Sequence, residues 1–218
     1  MNKQYYLFDL DGTLTDPKIG ITKALDYALT YMGIITENLD DLTKYIGPSL
    51  KKSLNKDYNL SREDVDKAIV KYREYFSETG IYENNIYEGI PELLDKLKKS
   101  GKTIILATAK PTPYAIEILK HFELYKYFTF VAGSEFDGTR SEKVDVITYA
   151  LEQCKITDLD NAVMIGDREH DILGAKYNKI SSVGVLFGYG SKEELENAKA
   201  DVIVDTVEKL EELLLDNN

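Results

Sequence analysis

Short, nearly continuous apolar runs alternate with longer stretches of helical spacing along most of the chain. The runs cover residues 5–8, 103–107, 128–131, 162–165, 183–187 and 202–204. Continuous rather than alternating hydrophobicity is what a strand covered by helices on both faces requires. The repeated order of strand then helix predicts a parallel, doubly wound α/β sheet, a Rossmann-like core. Helix ends are also marked: Pro91 stands in a first turn ahead of Leu93, Leu94 and Leu97, with Gly101 just past the last turn. Ser191 and Glu194 before Leu195 predict a capping box. The acidic tail over 208–216 keeps Leu210, Leu213 and Leu214 at helical spacing and reads as a final packing helix.

Between about 17 and 84 the strands stop and helices follow one another, including 19–32 and a segment opened by Ser61 with Asp64 that runs to about 76. This stretch predicts a small all-helical cap, residues 17–84, inserted into an α/β core made of 1–16 and 85–218. The hinges are expected near 15–17 and 82–87. No internal repeat or flexible Gly/Ser linker appears.

Composition narrows the classes. A length of 218 residues suits one core with an insertion, and 43% hydrophobic with 30% charged residues is globular. The net charge of -11 disfavours a non-specific grip on nucleic acid or anionic lipid, so partners are expected to be small phosphorylated metabolites, with no nucleic-acid polymer and no membrane. The single cysteine, Cys154, excludes an intrachain disulfide and a multi-cysteine metal site. Tyr5, Tyr6, Leu7 and Phe8 run straight into Asp9 without the apolar length of a leader, so the expected compartment is the cytoplasm. Either a monomer or a homodimer is compatible with these counts.

The sharpest chemical signal is Asp9-Leu10-Asp11-Gly12-Thr13 directly after the first run, at the carboxyl edge where parallel sheets bind ligands. Residues two apart in extended chain project to one side, so Asp9 and Asp11 can face one substrate, and Gly12 permits a sharp turn afterwards. Paired carboxylates invite a hard, oxygen-seeking cation such as Mg²⁺. Asp9 can then attack phosphorus, dividing hydrolysis into formation and breakdown of an acyl phosphate, while Asp11 protonates the leaving alkoxide and later activates water. Thr108, with nearby backbone N–H groups such as that of Ala109, suits the phosphoryl oxygens. Lys143, near a helix start, can offset charge on phosphate and Asp9. Gly166 and Asp167, followed by Asp171, end another run and can complete or orient a metal shell.

In this order and context, Asp9-Leu10-Asp11-Gly12-Thr13-Leu14, Thr108, Lys143 and Gly166-Asp167-Arg168-Glu169-His170-Asp171 resemble the motifs of the haloacid dehalogenase superfamily phosphatases across essentially the whole core. The resemblance implies Asp9 as nucleophile, Asp11 as acid and base, and Mg²⁺ held by Asp9, the backbone carbonyl of Asp11, and Asp167, with Asp171 nearby. It also implies a sheet with the first strand in the middle and a mobile helical cap. The texture of 108–111, 166–171 and 188–191 is similar to the 5′-nucleotidase-like and phosphoglycolate phosphatase-like branch, with the nucleotidase reading first. Ala109 departs from that pattern, where a small polar residue is expected.

Each of these residues also has a plainer reading. Asp-X-Asp alone is often an exposed turn, Thr108 an ordinary strand end and Lys143 a solvated helix residue. Lys110 and Pro111 can fix the loop around the phosphate, or Pro111 simply starts a helix. Gly47 and Pro48, in the cap, and Arg140, ahead of Lys143, are candidates for substrate contact; a Gly-Pro connection and an exposed loop arginine are the alternatives. Asp11 argues against a dehalogenase, whose halide needs no proton. A sugar-phosphate mutase shares both aspartates and stays open. A phosphoacceptor signalling module is disfavoured, because its phosphorylated Asp follows a later strand and it lacks a helical insertion.

Overall fold

The computed structural model of the chain describes residues 1–215 and divides into two compact units. One comprises Met1–Asp16 and the chain from Ile86 onward; the other is Pro17–Asn85.

In the larger unit, strand β1 (Tyr5–Phe8) is followed by the short β2 (Thr15–Asp16). After the helical unit and the short β3 (Asn85–Ile86), the chain alternates regularly. It runs through α4 (Ile90–Lys99), β4 (Thr103–Pro111), α5 (Thr112–His121), β5 (Phe130–Ser134), α6 (Lys143–Gln153) and β6 (Ala162–Gly166). It ends with α7 (Glu169–Tyr177), β7 (Ser181–Val185), α8 (Lys192–Asn197), β8 (Val202–Val204) and α9 (Val207–Leu215). The six-stranded sheet has the order β5-β4-β1-β6-β7-β8, every neighbouring pair parallel. This is the doubly wound α/β core expected, with β1 in its interior.

Burial explains the continuous apolar runs. Leu7 belongs to a core cluster with Val146, Ile147 and Ala150 of α6, while the adjacent Tyr6 sends its hydroxyl to the Leu214 carbonyl of α9, 3.1 Å away. Successive strand residues point to opposite faces, and both faces carry helices. Tyr6, Leu7 and Phe8 are wholly buried, each removal from water contributing about 1.5–3 kcal/mol.

Several boundaries differ from the sequence reading. The strand expected at 128–131 is β5 at Phe130–Ser134, because the turn Tyr125–Tyr127 extends to Phe128. The strand expected at 183–187 begins two residues earlier. Ser181 and Ser182 do not look like strand residues, yet Ser182 N–H and Oγ both donate to the Asp201 carboxylate, at 2.8 and 3.0 Å, which satisfies these polar groups inside the sheet. β4 continues past Ala107 to Pro111 with a register shift against β5, a bulge that redirects residues 108–110. The capping box is half formed: Ser191 Oγ accepts from Glu194 N–H at 3.0 Å, but the Glu194 carboxylate accepts from Arg168 Nε and Glu169 N–H instead. The final helix is described over Val207–Leu215, and Asp216, the last residue of the expected packing helix, lies outside the described residues.

The helical unit contains α1 (Lys18–Tyr31), α2 (Leu50–Tyr58) and α3 (Arg62–Tyr75). As the Ser61/Asp64 spacing predicts, Ser61 Oγ accepts from Asp64 N–H at 3.1 Å and caps α3. α1 packs on α3, and Leu25 and Ala28 of the first and Val65 and Ala68 of the second are buried. Gly20 lets the Gly80 carbonyl close in on α1; a Cβ there would lie 1.9 Å from that oxygen.

Candidate active site

The carboxyl ends of the interior strands bring most of the expected residues together. Asp9 leaves β1 with its N–H donating to the Ile165 carbonyl of β6 at 2.9 Å, and its Oδ1 accepts from Leu10 N–H at 2.8 Å. The chain then folds tightly: the Leu10 carbonyl accepts from Thr13, Leu14 and Thr15 N–H groups, and Gly12 N–H donates to Thr15 O. Gly12 has φ +82°, and a Cβ there would stand 2.2 Å from Asp167 Oδ2. This one position therefore needs glycine for both its backbone conformation and the approach of Asp167.

Lys143, at the start of α6, is the hub. Its ammonium lies 2.8 Å from Asp9 Oδ1 and 2.8 Å from Asp171 Oδ1, and donates to the Ala107 carbonyl at 3.0 Å. These three side chains are at most 5% exposed. Burial works against the ammonium, but the Asp171 and Asp9 carboxylates more than reverse this and hold its pKa above the ordinary lysine value. Asp171 also accepts from Arg168 N–H at 3.1 Å through Oδ2, so it both starts α7 and faces the site. Gly166 admits it: a Cβ on Gly166 would meet the Asp171 carboxyl at 2.1 Å.

Asp167 completes the group. Its Oδ2 accepts from Tyr189 N–H at 2.8 Å, and its Oδ1 keeps only a 3.5 Å contact with Thr13 Oγ1. Burial, reinforced by repulsion from Asp171 and Asp9, pushes the Asp167 carboxyl well above the ordinary carboxylate range. Burial raises Asp171 too, with Lys143 pulling the other way.

Asp11 has a different partner. Its Oδ2 is 2.6 Å from Lys110 Nζ, both side chains being 10% exposed or less, and its Oδ1 is buried without a hydrogen bond. Burial raises the Asp11 carboxyl against the opposing pull of Lys110. The sequence reading gave Lys110 a loop-fixing role and did not include it among the site residues. The bulge in β4 is what turns it to Asp11, and a lysine two residues beyond Thr108 was the available signal. Thr108 is buried beside this bulge, its Oγ1 accepting from Lys110 N–H at 3.3 Å, while the Ala109 carbonyl accepts from Ser134 Oγ at 2.7 Å.

Two expectations fare differently. Carboxylate oxygens of Asp9, Asp167 and Asp171 lie within 4.8 Å of one another; the Asp11 side chain is not in this group, and the metal contact the resemblance implies for Asp11 is through its backbone carbonyl. Arg140 is not brought to the carboxylates. Its guanidinium donates to Glu135 and to the Gly133 carbonyl and lies 4.2 Å from the Tyr149 ring centroid. Gly47 and Pro48 lie in the helical unit just before α2, with Gly47 at φ +100°.

The residues fit a divalent cation. Four buried carboxylates, Asp9, Asp11, Asp167 and Asp171, face two buried ammonium groups, Lys110 and Lys143, leaving a formal charge of minus two. One divalent ion cancels that excess, and the three clustered acids supply the hard oxygen donors it prefers. His170 lies between two of these acids in sequence but is exposed.

A parallel doubly wound sheet with a buried carboxylate cluster at the carboxyl edge of its strands is where folds of this class hold ligands and carry out chemistry. The chain belongs to the haloacid dehalogenase-like hydrolases, whose family model matches residues 6–185. It is 43% identical over 189 residues to a 5′-nucleotidase of Pseudomonas aeruginosa, covering 87% of this chain and 85% of that one. It is 37% identical over 213 residues to the tyrosine-protein kinase PtkA of Mycobacterium tuberculosis, covering 97% of this chain and 72% of that one. Among solved structures, a predicted phosphatase from Clostridium acetobutylicum superposes with a TM-score of 0.95 at 47% identity, covering 98% of each chain. Among the described residues, no helix is long and apolar enough to cross a membrane.

Proposed function

We propose that this chain is a Mg²⁺-dependent phosphatase that cleaves small phosphate monoesters through an aspartyl phosphate on Asp9, with nucleoside 5′-monophosphates as the substrate class. The observation that carries the reading is the separation of the two motif aspartates: Asp9 is held by Lys143 and Asp11 by Lys110. Two neighbouring carboxylates are thereby given different electrostatic surroundings, which suits a nucleophile and a proton carrier.

Asp9 and its neighbours Asp167 and Asp171 would hold the cation. When bound, Mg²⁺ screens the carboxylates and draws electron density from the phosphoryl group. An oxygen of Asp9 attacks phosphorus as the bond to the ester oxygen breaks, and Asp11, in its acid form, gives that oxygen a proton. Burial, which raises Asp11, favours this acid form. In the second step Asp11 takes a proton from water, the water oxygen bonds to phosphorus, and Asp9 leaves as a carboxylate. Thr108, the Ala109 backbone and Lys143 stabilise the transferring phosphoryl oxygens.

The nucleotidase preference is supported by the Pseudomonas relative's name and by the texture of 188–191. Phosphoglycolate is the next substrate to consider, and a sugar-phosphate mutase remains the enzymatic rival. Gly47 and Pro48 are proposed to face the substrate, on the resemblance alone, and the cytoplasmic setting rests on the sequence.

The test is Mg²⁺-dependent phosphate release from nucleoside 5′-monophosphates, phosphoglycolate, pyrophosphate and hexose phosphates. Asp9→Asn should keep the circular dichroism and melting behaviour of a folded protein and lose turnover. Turnover by pure Asp9→Asn at the parent rate would sink the aspartyl-phosphate mechanism. Transfer of label from ATP to a tyrosine, without phosphate release from any monoester, would move the reading to a phosphotransferase.

A further inference from the structure

Gly188, Tyr189 and Gly190 follow β7 and press against Asp167. A Cβ on Gly188 would stand 2.2 Å from the Gly12 carbonyl oxygen and 2.5 Å from Asp167 Cβ, and one on Gly190 would stand 1.8 Å from the Asp167 carbonyl oxygen. Only residues without a Cβ permit this approach. Between them, Tyr189 donates at both ends: its N–H to Asp167 Oδ2 at 2.8 Å, and its phenol to Asp16 Oδ1. Asp16 is the last residue of the segment that carries Asp9 and Asp11. A single tyrosine therefore bridges the ends of two loops that converge on the site, the one after β1 and the one after β6.

We propose that Tyr189 is a positioning residue for Asp167: its phenol, anchored on Asp16, sets the 188–190 loop so that the loop's N–H fixes the Asp167 carboxylate in the orientation that receives the cation. The proposal rests on Asp167 being a metal ligand, as the proposed function has it. With Oδ2 engaged, Oδ1 is the oxygen left with only the 3.5 Å contact to Thr13. Hydrogen bonds of this kind to a ligand's remaining oxygen restrict its rotation, and their loss typically weakens a metal site about 10- to 100-fold. Burial and the bond to Asp16 raise the Tyr189 pKa above the ordinary phenol value, so the hydroxyl remains a donor. The backbone donor survives a side-chain change, so the expected effect lies at the lower end of that range.

The experiment is Mn²⁺ binding to the metal-free full chain, followed by the electron paramagnetic resonance signal of the free ion and needing no substrate. Tyr189→Phe should weaken binding about tenfold. Asp16→Ala should weaken it at least as much, and the double variant should be no weaker than Asp16→Ala alone, since both remove the Tyr189–Asp16 hydrogen bond. Asp16→Asn, which keeps an acceptor oxygen, should stay near the parent. Tyr177→Phe, at a tyrosine that is 71% exposed on α7, is the control. Unchanged affinity in Tyr189→Phe, or effects of the single variants that multiply in the double, would overturn the proposal. If Tyr189→Phe does not fold, Asp16→Ala against Asp16→Asn makes the same distinction. A parent chain that binds no Mn²⁺ would remove Asp167 as a ligand and the proposal with it. The predicted pattern of Mn²⁺ affinities without phosphate release from any ester would support the proposal and remove the phosphatase reading.

Discussion

Replacing Asp167 by Asn should stabilise the metal-free protein and abolish its response to Mg²⁺. Oxygens of Asp167, Asp9 and Asp171 lie within 4.8 Å of one another, and at an effective dielectric of about 20 each like-charge pair at that separation costs about 3.5 kcal/mol. Lys143 relieves part of this, and Asp167 can escape the rest by keeping a proton. That escape sets a ceiling: for a group with an ordinary pKa of 3.8, retaining the proton near neutral pH costs at most about 4.4 kcal/mol, at about 1.36 kcal/mol per pH unit. Asparagine keeps an acceptor for Tyr189 N–H while removing the charge. The net gain should be about 2–4 kcal/mol near pH 7, or about 5–10 °C in melting temperature for a chain of this size. The sign follows from the raised folded pKa. The parent's stability from this group is fully present below 3.8 and is lost as pH rises through the folded value, so the variant's advantage should vanish near pH 4 and grow toward pH 8. Calorimetric melts in EDTA across this range measure it. Added Mg²⁺ should raise the parent by about 2.7 kcal/mol at a hundredfold excess over its dissociation constant and leave the variant unmoved. A variant melting at or below the parent in EDTA at pH 8, or rising equally with Mg²⁺, would refute the reasoning.

The two lysines should behave differently from Asp167 and from each other. Lys143→Met strands Asp9 and Asp171 without their shared cation, so it should cost about 3–5 kcal/mol in chemical denaturation as well as eliminate turnover. Lys110→Met frees the Asp11 carboxyl from its 2.6 Å partner and should slow alkyl phosphates about 100-fold, since their leaving oxygens need a well-placed proton. Aryl phosphates, which leave with little help, should slow much less; a leaving-group series with equal losses throughout would contradict the assignment of Asp11.

The sequence by itself determined the architecture and marked the residues on which the proposed chemistry rests. Continuous apolar runs can be stable only when helices cover both faces, so the run at 5–8 already implied a strand covered on both sides, while its place in the middle of the sheet was implied by the family resemblance. The placement of Asp9, Asp11, Thr108, Lys143 and Asp167 at run ends or a helix start implied one shared edge. Pattern is informative there because burial acts residue by residue along an element. Tertiary structure decided whatever depends on partners distant in sequence. Ser182 became a strand residue because Asp201 meets it, and Glu194 left its capping role for Arg168. Lys110 reached Asp11 through a bulge that only the pairing of β4 with β5 produces, and Arg140 turned to Glu135 and Tyr149. Tyr189 met Asp167 because two glycines allow backbone to come within reach of a carboxylate from another strand. Such contacts depend on side-chain direction and loop approach in three dimensions, which no local periodicity encodes.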